Sequence, residues 1–335
     1  MNSTGRKNVI LVDFDAPKDW EFLDAIEKSS REKWNVKKYV SNRNHGKILQ
    51  KLIRYTKYFI TPFDVFLHRA EYSQVLGWQQ FYGLILAFYC RLFRVKNAPL
   101  ITVMTFIYKP KSSLIGRGYE KFVRYCVTSN CINKIIVHSE AEREYYAEYF
   151  AIQIEKFVCV KLGIEDETRE IPTRESKGYY LAAGRSNRDY SFLLSVWDNK
   201  LPLKVVCDSL DCSSKENVEI LKNCYGNEYL RLLSECHAVI IPLENIHASS
   251  GQLVILQAMM YGKPVIVTEN DTVRDYIVHG EDGYIISKNQ YSLKDAIEWV
   301  EQNYSKLSEF SRKHYEDKFS LFNEGLTIGE ILKRR

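Results

Sequence analysis

Short apolar runs of strand length alternate with amphipathic helical stretches along this chain, and the alternation breaks once before it resumes. Strands separated by helices lie parallel, because only a crossover of that length carries the chain back to the same edge. In the first run, Asn8–Val12, Val36–Val40, Asp64–Leu67, Leu100–Val103, Lys134–Val137 and Phe157–Val160 read as strands. Trp20–Lys28, Trp78–Phe93 and Ala141–Phe150 read as helices, the last opened by a capping box of Ser139 and Glu142. Glu165–Lys177 is charged, holds Pro172 and lacks apolar periodicity, so it reads as a linker. The second run places strands at Tyr179–Ala183, Lys204–Cys207, Ala238–Ile241, Pro264–Val267 and Tyr284–Ile286, and its last third is helical. The pattern predicts an α/β chain of two Rossmann-like domains facing a cleft, over residues 1–165 and 178–310, with 311–335 a helical tail that packs back on the first. A length of 335 residues is too great for one small core and suits two.

Composition narrows the functional classes. With 45% apolar and 27% charged residues the chain is no disordered polymer. Mean hydropathy is −0.30, and no stretch reaches the ~18 apolar residues of a membrane span. The polar start, Met1 to Lys7, leads directly into a strand, so a cytoplasmic protein without a secretory leader is expected. Eight cysteines are present, but Cys90, Cys126, Cys159, Cys207 and Cys236 lie in apolar runs and no pair has zinc-site spacing, so they read as small core residues. The net charge is +5. Between Arg91 and Lys134 the cations, among them Lys109, Lys111, Arg117, Lys121 and Arg124, face a single acid, Glu120, and alternate with aromatic and aliphatic residues. Such a segment either meets anionic lipid headgroups and phosphorylated ligands or is a solvated helix face. Nucleic acid is not an expected partner.

The chain has neither a G-x-G-x-x-G turn nor a P-loop, which argues against dinucleotide binding and P-loop phosphoryl transfer. The second half instead offers Gly184, Arg185 and Arg188 between a strand and a helix, where two guanidiniums beside a helix start suit a diphosphate. Further on, a strand ends at Pro242, and the small residues Ala248, Ser249, Ser250 and Gly251 open a helix expected to turn Leu253, Leu256 and Met260 inward. Gly262, Lys263 and Pro264 then turn into the next strand.

This combination resembles the carboxyl-terminal half of GT-B glycosyltransferases, in particular the retaining family 4. Gly184-Arg185, Pro242, Ala258-Met259, Gly262 to Val265 and Gly280-x-x-Gly283 match that family's pattern, over roughly Tyr179 to Ile286. The family's Glu-x7-Glu pair falls here on Ser249 and Gln257. An amide at Gln257 still accepts a hydrogen bond from a ribose hydroxyl, without charge assistance. Ser249 cannot copy a glutamate's reach, which leaves the backbone N–H groups of Ser250, Gly251 and Gln252 to hold sugar or phosphate. The family's phosphate-clamp lysine is replaced by Arg188, and Val103 to Phe106 stand where a histidine often follows the fourth strand.

The resemblance implies transfer of a hexose-type sugar from a nucleoside diphosphate donor to an acceptor hydroxyl, with retention and without a metal. Arg185 and Arg188 stabilise the leaving diphosphate, and Gly184, Ser249, Ser250, Gly251, Gln252 and Gln257 complete the donor site. No cofactor is expected beyond the nucleotide sugar. The aromatic and basic segment points to a lipid-linked or glycan acceptor and to peripheral contact with the inner face of the membrane, as in surface polysaccharide assembly. In the first half, Asp13 and Asp15 follow the first strand and are read as cleft residues rather than metal ligands. His68, Arg69 and Glu71 follow the expected strand Asp64–Leu67: Glu71 could hold or deprotonate an acceptor hydroxyl and Arg69 could meet an acceptor phosphate, or the segment is a polar loop. His138 ends its own strand, as readily structural as catalytic. A sugar-nucleotide epimerase of the same fold and a non-catalytic partner subunit are the alternatives. The sequence specifies no oligomeric state.

Overall fold

The computed structural model describes residues 5–40, 48–198, 200–211, 215–244 and 250–333, and side chains are described for these except 48–54. Two compact units divide the chain. The first comprises Met1–Val160 and Gly325–Arg335, the second Lys161–Glu324.

In the first unit the strands are β1 (Lys7–Val12), β2 (Trp34–Lys38), β3 (Tyr72–Gly77), β4 (Leu100–Val103), β5 (Ile132–Val137) and β6 (Phe157–Cys159). They pair in parallel in the order β2-β1-β3-β4-β5-β6. Helices α1 (Glu21–Ser30), α2 (Ile48–Leu67), α3 (Gln80–Leu92), α4 (Leu114–Val127) and α5 (Glu140–Phe150) form the crossovers. Ser139 caps α5, its hydroxyl accepting the Glu142 N–H at 3.1 Å.

The second unit holds β7 (Tyr180–Ala183), β8 (Leu203–Val206), β9 (Val218–Leu221), β10 (Ala238–Ile241), β11 (Val265–Thr268) and β12 (Gly283–Ile286). Its parallel order is β12-β11-β10-β7-β8-β9. That is the strand order of a Rossmann sheet, in which the chain leaves the first strand to one side and returns at the fourth on the other. Helices α6 (Tyr190–Val196), α7 (Asn227–Glu235), α8 (Gln252–Met260) and α9 (Gln290–His314) flank it. The strands Ala238–Ile241 and Val265–Thr268, apolar but for Thr268, are buried throughout, as strands covered on both faces must be.

Helix α10 (Leu321–Leu332) begins in the second unit and continues into the first. Two glycines let its backbone close on α1: a Cβ at Gly325 would stand 2.7 Å from Ala25 Cβ, and one at Gly329 would stand 2.8 Å from the Ile26 carbonyl. No side chain larger than hydrogen fits that approach.

Several expectations change. Asp64–Leu67 is not a strand but the last turn of α2, a helix that runs through Pro62. The third strand is Tyr72–Gly77, and β9 had no counterpart in the sequence reading. The charged segment 165–177 is not a free tether: Ile171 is buried in the second unit's core, while Arg174 and Lys177 both pair with Glu235 at 2.7 Å. Leu253 is 53% exposed rather than turned inward.

Candidate functional site

At the second unit's switch point β7 and β10 are neighbours whose following loops diverge, and ligands of open α/β sheets bind in the crevice so formed. The loop after β7 turns at Gly184, with φ +119°, and Asn187, with φ +56°. It is stitched to the loop after β10. The Asp189 N–H donates to the Pro242 carbonyl at 2.7 Å, Arg188 bridges Leu243, and Asn187 Nδ2 donates to Ser250 Oγ at 2.7 Å. Lys288, following β12, ties both loops by donating to Asp189 Oδ2 and the Glu244 carbonyl, each at 2.8 Å. Thr268, ending β11, accepts the Leu243 N–H at 2.5 Å. The crevice is therefore braced by four strand ends before any ligand arrives.

Arg188 does not extend into solvent as one arm of a clamp. Its Nε donates to the Ala183 carbonyl at 3.0 Å and its Nη1 to the Ser186 carbonyl at 2.9 Å. A Cβ at Gly184 would stand 2.7 Å from its Nη2. The guanidinium is a strut that holds the turn open, because loop carbonyls left without donors are costly. Arg185 is the exposed cation, with 68% of its side chain open to solvent. Its Nη1 lies 3.8 Å from Asp208 and its guanidinium stands over the Tyr225 ring at 5.7 Å.

The pair Asp208 and Tyr225 was missed from sequence. Asp208 follows β8 and accepts the Tyr225 hydroxyl and the Asn223 N–H. Those donors hold its carboxyl below the usual carboxylate range. An aspartate directly after a strand was a usable signal; Tyr225 was not, since its strand had gone unread.

Ser250, Gly251 and Gln252 stand at the start of α8, with Gly251 at φ +95° as its N-cap. The first-turn N–H groups of such a helix carry partial positive charge. Ser250 Oγ receives the Asn187 amide, and Gln252 Nε2 donates to Thr272 Oγ1 at 3.5 Å. Gln257 lies on the half-buried side of α8, more than one turn in. Ser249 lies outside the described residues.

In the first unit the equivalent switch point is between β1 and β3. Asp13, Phe14 and Asp15 follow β1, and Trp78 follows β3. Phe14 and Trp78 stand 5.6 Å apart at their ring centres, and both pack on Trp20. Asp15 pairs with Lys38 at 2.8 Å. Among the described residues no group of three or more His, Cys, Asp and Glu side chains could hold a metal. His138 is buried at the end of β5, its Nδ1 2.9 Å from the Val160 carbonyl and its Nε2 3.4 Å from Thr105 Oγ1. Burial lowers its pKa, so the ring is neutral at pH 7.

Arg69 and Glu71 are corrected. Because α2 replaces the expected strand, they form a 3-10 turn ahead of β3, at the amino edge of the sheet, opposite the carboxyl ends where ligands bind. Arg69 stacks on Phe66 at 4.6 Å and donates to its carbonyl at 2.9 Å. Arg124 is corrected too. It is not a free surface cation, since it donates to the Phe150 and Tyr149 carbonyls at 2.9 and 3.0 Å and so caps the end of α5. Lys109, Lys111, Arg117 and Lys121 are exposed.

Two parallel Rossmann-like sheets, with a braced crevice at the second one's switch point, define the GT-B class of glycosyltransferase folds. Residues 182–317 match the family described as glycosyl transferases group 1. A D-rhamnosyltransferase, WbpZ of Pseudomonas aeruginosa, is 28% identical over 98 residues, a segment spanning 29% of this chain and 26% of that protein. HepE of Anabaena, solved in complex with UDP, superposes with a TM-score of 0.65 at 14% identity, over 97% of this chain and 99% of its own. Sucrose-phosphate synthase of Thermosynechococcus elongatus gives 0.66 at 14% identity over 98% of each chain. At these identities the two structures share a fold with this chain.

Proposed function

We propose that this chain transfers a sugar from a nucleoside diphosphate donor to an acceptor hydroxyl in the assembly of a surface polysaccharide or glycoconjugate, with retention and without a metal. The observation that carries the reading is the braced crevice after β7 and β10: the first loop carries an exposed Arg185, and the second leads through Gly251, at positive φ, into the amino end of α8. In sugar transfer the departing diphosphate gathers negative charge as the glycosidic bond opens, and preorganised donors that meet that charge lower the barrier. Arg185 supplies the cation, the first-turn N–H groups of α8 the neutral donors, and Arg188 fixes the turn that presents them. Gln257 accepts from the donor's ribose. The rhamnosyltransferase relative and the UDP complex of HepE support a nucleotide-sugar donor.

A lipid-linked or glycan acceptor and a peripheral membrane contact follow from the surface of α4. Leu114 and Ile115, 79% and 86% exposed, stand in its first turn between Lys111 and Arg117. Apolar side chains ringed by cations suit an anionic lipid surface. Asp15, following the carboxyl end of β1, serves the acceptor side.

The test is incubation with a panel of nucleoside diphosphate sugars, with and without membrane lipid extract, in the presence of a chelator. Acceptor-dependent release of nucleoside diphosphate, undiminished by chelation, supports the reading, and the product's anomeric coupling constant reads retention. Acceptor-free isomerisation or silence across the panel would overturn it.

A further inference from the structure

Across the first sheet from its carboxyl ends, the end of α3 and the start of β5 enclose a cavity of about 310 Å³. Cys90 and Cys131 line it together with Arg91, Arg94 and Lys96, and none of its lining residues is acidic. The two thiols share this cavity, near enough for each to act on the other's charge. Cys131 also lies 3.1 Å from the Ser129 hydroxyl. Lys156, near enough to act on the sulfur's charge, donates to the Ser129 carbonyl at 2.8 Å. Cys131 is partly exposed, whereas Cys90 and the neighbouring Cys126 are buried. The site takes no part in the proposed transfer. Arg91 is tied to the end of α4, donating to the Thr128 hydroxyl at 2.7 Å and stacking on Tyr125, while Arg94 and Lys96 are exposed at the cavity.

We propose that Cys131 and Cys90 form a thiol–disulfide exchange site for small anionic disulfides, with Cys131 the attacking and Cys90 the resolving thiol. The Cys131 thiolate attacks one sulfur of the small disulfide, the S–S bond breaks, and one half leaves as a thiolate that takes up a proton. The Cys90 thiol then loses its proton and attacks Cys131 Sγ, expelling the second half. Overall the dithiol is oxidised to a Cys90–Cys131 disulfide and the small disulfide is reduced to two thiols.

Three features assign these roles. Donors at Cys90 and Ser129 hold the Cys131 thiol below the usual thiol range, and the thiolate is the nucleophile. The neighbouring Cys131 sulfur and burial push Cys90 up, so it waits as thiol until the mixed disulfide forms. Arg94 and Lys96, exposed lining residues, attract carboxylates to the cavity. The resulting bond would pin the last turn of α3 to the residue before β5.

Oxidised glutathione is the anionic probe and bis(2-hydroxyethyl) disulfide the neutral one. With oxidised glutathione the parent chain should yield a Cys90–Cys131 cross-linked peptide by mass spectrometry. Cys90→Ser should stop at a mixed disulfide on Cys131, and Cys131→Ser should leave Cys90 unmodified. Arg94→Ala with Lys96→Ala should slow the reaction with the anionic probe about tenfold and leave the neutral one unchanged, the scale of electrostatic steering. Brief native alkylation of the parent with iodoacetamide should label Cys131 before Cys90 and Cys126, which needs no variant. Absence of the cross-link in the parent, or earlier labelling of Cys126, would overturn the proposal; equal slowing of both probes would overturn the role of the cations.

Discussion

Gly184 carries two constraints at once: a φ that L-residues rarely adopt and a guanidinium against the place a side chain would fill. Gly184→Ala should cost about 1–3 kcal/mol of stability through backbone strain and, by displacing Arg188, also weaken nucleoside diphosphate binding; thermal melts and calorimetry read the two effects. Arg185→Ala should leave the melting temperature unchanged and weaken the same ligand by about 1.5–3 kcal/mol, the range for hydrogen bonds to charged groups. Unaltered calorimetric affinity would remove Arg185 from the site. At Gln257, Leu should cost about 1–3 kcal/mol in donor binding by leaving a ribose hydroxyl unpaired, while Glu should preserve it; a Gln257→Leu variant that binds like the parent puts the ribose elsewhere. The glycine, both arginines and the start of α8 were legible because residue type and position coincide there. The division of labour between Arg185 and Arg188 was not. Which guanidinium turns back to its own carbonyls depends on the φ of Gly184 and Asn187, and no spacing rule carries that.

Strand and helix periods compete wherever an apolar segment is short. Asp64 to Leu67 has the β-branched and aromatic content of a strand, and Pro62 two residues before suggests a helix break. In the protein the helix runs through the proline because Val65 and Phe66 pack in the core of the first unit. Conversely Tyr72–Gly77 and Val218–Leu221, with Ser73, Gln74 and Glu219 inside them, lack an unbroken apolar run. Moving one strand displaced Arg69 and Glu71 from one edge of the sheet to the other. At the same scale, Lys111→Glu with Lys121→Glu should abolish salt-sensitive sedimentation with anionic vesicles, since each cation near such a surface contributes about 1 kcal/mol. Equal sedimentation with neutral vesicles would reduce α4 to a solvated face.

Over the whole molecule, Glu324 ties pH to stability. It is buried, and its Oε2 accepts the Gly163 N–H at 3.1 Å. Burial raises its pKa from the ordinary 4.5 to about 8. A carboxyl whose folded pKa lies above its unfolded one contributes stability that is fully present below the unfolded value and lost as pH rises through the folded value. Stability should therefore fall between roughly pH 4.5 and 8, and Glu324→Gln should flatten that part of the melting-temperature profile. A parent profile already flat across the window would contradict the assignment.

The glycine-lined seam between α10 and α1 has a consequence in time. Residues 1–160 are synthesised first, yet the unit they build is completed by a segment that follows the entire second unit. Domains usually fold as the chain emerges, in order of synthesis. Here the earlier unit must wait with one flank of α1 uncovered while a later one forms ahead of it. Emergence of α10 from the ribosome, rather than the speed of either sheet, thus sets when the first unit matures. A chain cut after Glu324 would retain the segments of both sheets and still be caught by proteases or chaperones at α1, the oldest helix in it.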